Sequence, residues 1–185
     1  RTTVGWKGLI NDPRIDNSFK INEGLRVARK VLKDIANEGL PAGTEFLDLI
    51  SPQYISDLVS WGAIGARTSE SQVHRELTSG LSCPVGIKNT TNGEFKAAID
   101  GMKSAQYQHV FLGTTKQGKV AIFKTSGNDD THIILRGGKQ PNYESEDIQK
   151  CLRELEKSEV NKCIMIDFSH GNSQKIPSNQ KKVCQ

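Results

Sequence analysis

Residues 63–71 read Ala-Ile-Gly-Ala-Arg-Thr-Ser-Glu-Ser, an apolar run that reaches an arginine and then changes to helix-starting residues. The pattern predicts a buried strand that ends at Arg67 and a helix directly after it, with Ser69 and Gln72 placed as a capping box. The first backbone N–H groups of a helix carry a partial positive charge. A guanidinium beside them indicates a binding site for a phosphate or carboxylate.

Four further stretches repeat this pattern of a short apolar run that ends on a charged or metal-binding side chain, at residues 44–48, 84–88, 132–138 and 163–170. The runs that end at Asp48, Arg67 and Lys88 are 19 and 21 residues apart, which is typical of repeated strand–helix units. Such units predict an α/β fold with a parallel sheet covered by helices on both faces. In these folds the functional groups lie at the carboxyl ends of the strands.

The interval from Lys88 to Arg136 is 48 residues, too long for one more unit of this size. It contains two apolar stretches on either side of residues 116–119, Lys-Gln-Gly-Lys, which favour a turn. We therefore predict one domain over residues 1–185 with an inserted β-hairpin at about residues 107–126.

The composition excludes several classes of protein. With 185 residues, 35% of them hydrophobic, the chain suits a globular domain with a sizeable core. Its net charge of +4 comes without a block of lysine and arginine, so nucleic acid is not a predicted partner. No apolar run approaches the length of a membrane span, and no signal peptide opens the sequence. Four scattered cysteines without CxxC spacing fit a reducing cytoplasm.

Three cations from different strands, Arg67, Lys88 and Arg136, are predicted to meet at one rim of the sheet. Residues 137–138, both glycine, would allow backbone N–H groups to approach a ligand closely. Each cation alone is equally well explained by a salt bridge to a neighbouring carboxylate. Together they indicate a small ligand that carries both a phosphate and a carboxylate.

The carboxylates Glu45 and Asp48 are predicted to hold this cationic cluster in place. His170 stands at a strand end in the sequence Asp-Phe-Ser-His-Gly-Asn, residues 167–172. A lone histidine is more often a structural hydrogen-bonding group, but this position makes it a candidate metal ligand or acid–base group. The residues alone leave both interpretations open.

The longest motifs are RTTVGWKGLINDP (1–13), GAIGART (62–68), HRE (74–76), ILRGGK (134–139) and DFSHGN (167–172). Together they resemble class I 3-deoxy-D-arabino-heptulosonate-7-phosphate (DAHP) synthase, the transferase that opens the shikimate pathway of aromatic amino acid biosynthesis. The resemblance covers the whole chain. It implies a (β/α)8 TIM barrel, incomplete here, of which the chain would contain about strands 3 to 7.

The same resemblance implies the chemistry: phosphoenolpyruvate condenses with erythrose 4-phosphate, and phosphate leaves. The backbone N–H of Ala66, with Arg67 and Arg136, would hold the phosphate of phosphoenolpyruvate. Lys88 would lie at the carboxylate of that substrate or at the reacting centre, as a catalytic residue.

Two further matches concern the second substrate and the metal. Arg1 and Thr2 match the end of a Lys-Pro-Arg-Thr motif that binds the phosphate of erythrose 4-phosphate. His170 matches a ligand of the catalytic divalent metal ion, whose identity stays open among manganese, iron, cobalt and zinc.

In this family an extra hairpin and the adjacent helix ends form the pocket for an aromatic amino acid that inhibits by feedback. By position, the resemblance implies that the pocket is lined by Asp48, Pro52, Gln53, Leu77, Leu81, Ser82, Phe111 and Gly113. The apolar members are equally well explained as core packing. Gly113 stands where phenylalanine-sensitive relatives tend to carry serine, which favours tyrosine as the effector.

The chain also departs from the family pattern. The segments that carry the other metal ligands, a cysteine, a glutamate and an aspartate, do not match any part of it, and residues 87–93 read IKNTTNG where FKNGTDG is usual. We therefore expect an internal piece of a homo-oligomeric synthase that is inactive alone. The alternatives are a sister enzyme that makes an octulosonate 8-phosphate, and a non-catalytic module that binds aromatic amino acids.

Overall fold

The computed structural model describes residues 4–185 as an α/β fold built around two sheets. Five strands form an all-parallel sheet in the order β1-β2-β3-β6-β7, and β4 pairs with β5 in a separate antiparallel sheet. The predicted α/β class with a parallel sheet is confirmed.

The strands of the parallel sheet are β1 (Gly43–Glu45), β2 (Trp61–Ile64), β3 (Val85–Lys88), β6 (Thr131–Leu135) and β7 (Ile164–Ile166). The hairpin consists of β4 (Val110–Thr114) and β5 (Val120–Lys124). The α-helices are α1 (Ile21–Asn37), α2 (Pro52–Ile55), α3 (Gln72–Ser79), α4 (Lys96–Ala105), α5 (Ser145–Lys157) and α6 (Gln180–Cys184), with short 3-10 turns at Ser56–Leu58 and Pro177–Asn179. None of the helices in residues 4–185 combines the length and the apolar character needed to cross a bilayer.

The centre of the parallel sheet is buried on both faces. Ile133, Ile134 and Leu135 follow one another along β6 and are at most 2% exposed. Because neighbouring residues of a strand point to opposite faces, this run requires cover on both sides of the sheet. Helix α4 packs against β3 and β6, and α5 adds Cys151 and Leu155 to the same buried cluster.

The four cysteines are all free thiols. Cys163 and Cys184 are exposed, whereas Cys83 and Cys151 are buried. Burial raises the pKa of the Cys151 thiol to about 12 and also raises that of Cys83.

The hairpin has two different faces. Phe111 and Phe123 form a cross-strand pair on one face, with their rings stacked 6.1 Å apart. The other face carries four apolar side chains that are 62–75% exposed: Val110, Leu112, Val120 and Ile122. Gly118, at φ +74°, provides the left-handed residue of the connecting turn.

The predicted strand ends at Asp48 and Arg67 are wrong, because each strand stops three residues earlier. β1 ends at Glu45, and the carboxylate of Asp48 instead accepts hydrogen bonds from the backbone N–H groups of Ile50 (2.8 Å) and Ser51 (2.7 Å). Asp48 therefore organises the turn before α2 and does not hold the cationic cluster.

The predicted capping box of Ser69 and Gln72 is also wrong. β2 ends at Ile64 and a turn follows it, so the N-cap of α3 is Ser71. The Ser69 hydroxyl donates to the carbonyl of Ala66 at 3.3 Å and closes this turn. Arg67 thus lies in a turn between strand and helix, and the helix N-terminus begins five residues further on.

We expect Leu155→Ala to lower the free energy of unfolding by about 3 kcal/mol, because it leaves a cavity at a position that is 0% exposed. Leu40→Ala is the matched control, since Leu40 is 62% exposed, and it should change the value by less than about 1 kcal/mol. Urea denaturation of the two variants measures the difference. Equal losses would contradict the placement of α5 against the sheet.

Candidate functional site

A polar cleft of about 360 Å³ lies at the carboxyl ends of the parallel strands. It brings together five of the predicted site residues: Ala66, Arg67, Lys88, Arg136 and His170. Three more polar or charged residues line it, Glu45, Thr91 and Lys175. The other two predicted substrate-binding residues, Arg1 and Thr2, lie outside the described residues.

Lys88 is the last residue of β3, and its side chain is only 15% exposed. Its Nζ lies 3.4 Å from Oε2 of Glu45 and 3.9 Å from Oδ2 of Asp167. Glu45 thus holds Lys88 as predicted, and Asp167 is a second counter-ion. The two carboxylates hold the largely buried ammonium group at this position in the cleft.

Arg136 directly follows β6 and is buried, with 8% exposure. Burial lowers the pKa of its guanidinium, the positive charge of Arg67 lowers it further, and the negative charge of Asp167 opposes both. Arg67 and Arg136 are therefore close enough to repel each other. An anion bound between them would remove this repulsion.

The turn that carries Arg67 is fixed by hydrogen bonds to its backbone. Thr68 N–H donates to the carbonyl of Gly65 at 2.9 Å. Nε of Arg75, on α3, donates to the carbonyl of Ser69 at 2.9 Å and anchors the end of the turn. The N–H of Ala66 donates to no backbone carbonyl within residues 4–185, which leaves this group available to a ligand in the cleft.

Asn89 fixes the backbone on either side of Arg136. Its Oδ1 accepts a hydrogen bond from the N–H of Arg136 at 2.8 Å, and its Nδ2 donates to the carbonyl of Gly137 at 3.1 Å. Asn89 is fully buried. Strand β3 therefore determines where the backbone of the Arg136 loop lies.

Asn142 and Asn172 extend this arrangement to β7. Oδ1 of Asn142 accepts from the N–H of Gly137 at 2.7 Å, and Oδ1 of Asn172 accepts from the N–H of Asn142 at 2.9 Å. Nδ2 of Asn172 in turn donates to the carbonyls of Leu135 (3.0 Å) and Asp167 (2.9 Å). We call Asn89, Asn142 and Asn172 the asparagine network.

The expectation that Gly137 and Gly138 bring their N–H groups to a ligand is wrong. Gly137 N–H donates to Asn142, and Gly138 N–H donates to the carbonyl of Gln140 at 2.9 Å. A Cβ on Gly137 would lie 2.5 Å from the backbone nitrogen of Asn172, and one on Gly138 would lie 2.3 Å from the carbonyl oxygen of Asn92. These positions need glycine because neighbouring loops pack against their backbone.

His170 is oriented by a carboxylate. Its Nδ1 lies 2.7 Å from Oδ2 of Asp167. The carboxylate oxygen accepts in this contact, so Nδ1 is the donor and Nε2 is the ring nitrogen that points away from the pair. This pairing is typical of histidines that bind metal through the other ring nitrogen. Within residues 4–185, however, no three side chains of histidine, cysteine, aspartate or glutamate come together as a metal site.

A second, larger cavity of about 440 Å³ lies between the hairpin, α2 and α3. Six of the eight residues predicted for an effector pocket line it: Pro52, Gln53, Leu77, Leu81, Phe111 and Gly113. Asp48 and Ser82 are not among the lining residues, since Asp48 caps the turn before α2 and Ser82 is exposed to solvent. Phe123 and the aliphatic ends of the lining residues make the cavity partly apolar.

Gly113 affects where the ring of Phe123 lies in the wall of this cavity. A Cβ at Gly113 would lie 2.8 Å from the ring of Phe123, so glycine allows the ring to lie over the strand. A larger residue would displace the ring of Phe123 and change the space that a bound ligand could occupy.

Comparison with known proteins gives a consistent result. Residues 1–185 match the family model described as the DAHP synthetase I family. The chain is 62% identical over 184 residues to the Phe-sensitive phospho-2-dehydro-3-deoxyheptonate aldolase of Escherichia coli (strain K12), and the match covers 100% of this chain and 53% of that protein. It is 54% identical over 185 residues to the Tyr-sensitive aldolase of the same strain, with 100% and 52% covered.

A solved structure of phospho-2-dehydro-3-deoxyheptonate aldolase from Francisella tularensis SCHU S4 has the same fold. Its TM-score is 0.94 at 59% identity, and the match covers 99% of this chain and 54% of that one. The chain thus spans about half the length of the curated relatives it matches.

We expect Asn89→Ala to destabilise the chain by about 3 kcal/mol, because it leaves the N–H of Arg136 and the carbonyl of Gly137 buried without partners. Asn22→Ala, at an exposed position of α1, is the control and should change stability by less than about 0.5 kcal/mol. Urea denaturation compares the two. A loss at Asn89 no larger than that at Asn22 would contradict the asparagine network.

Proposed function

Because the chain belongs to the DAHP synthetase I family, we propose that it builds the phosphoenolpyruvate site and the aromatic effector site of a class I DAHP synthase. The observation that carries this proposal is the convergence of Arg67, Lys88 and Arg136 from three neighbouring parallel strands in one cleft. The five parallel strands would be about strands 3 to 7 of a (β/α)8 barrel formed as one domain, with the hairpin as an insertion.

Phosphoenolpyruvate carries a phosphate and a carboxylate, and the cleft offers donors for both. Arg67, Arg136 and the N–H of Ala66 would bind the phosphate, since guanidinium groups match its oxygens in pairs. Lys88 would neutralise the carboxylate or stand at the reacting carbons. Its ion pairs with Glu45 and Asp167 would position the ammonium group for this contact.

The reaction condenses the enol carbon of phosphoenolpyruvate with the aldehyde of erythrose 4-phosphate, adds water at the adjacent carbon and releases phosphate. The chain's own contribution is to fix the orientation of phosphoenolpyruvate and to stabilise the leaving phosphate through Arg67 and Arg136. The two arginines repel each other in the empty cleft. A phosphate bound between them would offset this repulsion, which favours its binding.

A divalent metal ion would supply Lewis-acid polarisation of the aldehyde when bound. His170 fits the role of one ligand, because the hydrogen bond of its Nδ1 to Asp167 orients the ring and Nε2 takes no part in it. Since a catalytic site needs about three protein ligands and residues 4–185 contain no such cluster, we expect the isolated 185-residue chain to be inactive.

The cavity between the hairpin, α2 and α3 would bind an aromatic amino acid. Its volume of about 440 Å³ and its phenylalanine-lined wall suit a single ring. Relatives named as sensitive to phenylalanine and to tyrosine both match the whole chain, so overall similarity does not select the effector. Gly113 lets the ring of Phe123 lie against the strand, and the absence of the serine that the family resemblance associates with phenylalanine sensitivity favours tyrosine.

A homo-oligomer is supported by the exposed apolar face of the hairpin, because four side chains of this kind on one two-stranded sheet favour contact with another surface. A cytoplasmic location is supported by the four free thiols.

The DAHP reaction is favoured over the octulosonate alternative, because relatives that are 54–62% identical to this chain are named as heptonate aldolases.

Calorimetric titration of the chain with phosphoenolpyruvate tests the proposal. We expect binding that Arg67→Gln weakens at least about tenfold, since the variant loses a charged contact to phosphate. Arg153→Gln, an exposed arginine of α5, is the matched control and should bind as the unmodified chain does. Binding of an aromatic amino acid without any binding of phosphoenolpyruvate would support the non-catalytic module instead. Turnover of both substrates above a Lys88→Ala control would contradict the expected inactivity.

For the effector cavity, we expect Gly113→Ser to shift the ratio of tyrosine to phenylalanine affinity at least about threefold toward phenylalanine, because the serine displaces Phe123 into the space for the ring hydroxyl. Val120→Ser, on the exposed face of the same hairpin, is the control. Titration of each variant with both amino acids measures the ratio. If the ratio of the two affinities does not change in Gly113→Ser, Gly113 does not determine which amino acid binds.

A further inference from the structure

The polar cleft contains a lysine, Lys175, that was not predicted from the sequence as part of any site. Lys175 lines the cleft together with Arg67, Arg136 and His170, although it stands well beyond the end of β7 and is otherwise exposed to solvent. Its position along the chain gives no reason for it to lie at the carboxyl ends of the strands.

The turn after β7 brings Lys175 back to this position. The N–H of Lys175 donates to the carbonyl of His170 at 2.8 Å, and the N–H of Gln174 donates to the carbonyl of Gly171 at 3.1 Å. His170, Gln174 and Lys175 have φ values of 52°, 52° and 60°. This left-handed backbone conformation is less stable by roughly 1 kcal/mol for each residue that has a Cβ. The fold thus accepts strained backbone to reverse the chain here.

The charge of Lys175 has no counter-ion within residues 4–185. Lys88 contacts Glu45 and Asp167, and four lysines on the surface also form ion pairs: Lys30, Lys96, Lys103 and Lys162. No carboxylate of the described chain forms such a pair with Lys175. An unpaired cation near two arginines raises the electrostatic energy of the empty cleft and lowers that of an occupied one.

We infer that Lys175 is a further substrate-binding residue of the cleft, which contacts an anionic group of the bound phosphorylated substrate. The inference rests on the proposed function of the cleft. A lysine on a flexible stem acts as a point charge rather than a rigid pair of donors, so it adds affinity through its charge. Its contribution therefore depends strongly on ionic strength.

Calorimetric titration of the 185-residue chain with phosphoenolpyruvate, at low and at high salt, tests the role of Lys175. We expect Lys175→Gln to weaken binding about fivefold at low salt and less at high salt. Lys175→Arg should restore affinity to within about twofold, because it keeps the charge. Lys181→Gln, at an exposed position of α6, removes a charge of the same kind outside the cleft and should leave binding unchanged.

Titration of Arg67→Gln under the same conditions distinguishes a wrong role for Lys175 from a wrong function for the whole cleft. If it loses binding while Lys175→Gln binds as tightly as the unmodified chain, the role of Lys175 is wrong and the proposed function stands. If Lys181→Gln weakens binding as much as Lys175→Gln, the effect is one of overall charge and the inference is also wrong. If the unmodified chain and Arg67→Gln do not differ, the proposed function of the cleft fails, and the role of Lys175 with it.

Discussion

The site depends on three loops that pack backbone against backbone at the carboxyl ends of β3, β6 and β7. The asparagine network holds them together, since its amide groups bridge all three loops and are buried at 6% exposure or less. Amide side chains suit this place because each both donates and accepts without adding a charge near Arg136. A carboxylate there would compete with the anion that the cleft is proposed to bind.

The electrostatics of the cleft follow from this rigidity. Arg136 is buried and its guanidinium donates to the carbonyl of Gly137, so it cannot move far from Arg67. The positive charge of Arg67, whose side chain is exposed, lies beside the buried charge of Arg136 and repels it. Arg136 is thus a preorganised donor for a phosphate, because its position is set before the anion binds.

Much of the fold was predictable, because buried parallel strands and amphipathic helices leave clear periodic patterns. The convergence of Arg67, Lys88 and Arg136 followed from one topological fact, that parallel strands end at the same edge. Asp48 was assigned wrongly because a carboxylate that caps a turn looks the same in sequence as one that ends a strand. Residues 137–138 were assigned the wrong role, since the sequence does not show which neighbouring backbone occupies the space beside a glycine. Lys175 carried no signal at all, since its place depends on a turn of non-glycine residues in the left-handed region.

The buried thiols have a practical consequence for work with this protein. With a pKa of about 12, Cys151 is almost entirely protonated near neutral pH, and thiolates are the species that react with electrophiles and oxidants. Maleimide dyes or spin labels should therefore attach at the exposed Cys163 and Cys184 while the core stays unmodified. Cys163 directly precedes β7, and Asp167 and His170 follow the carboxyl end of the same strand, so a probe at Cys163 would lie at the opposite end of β7 from the metal-binding candidate.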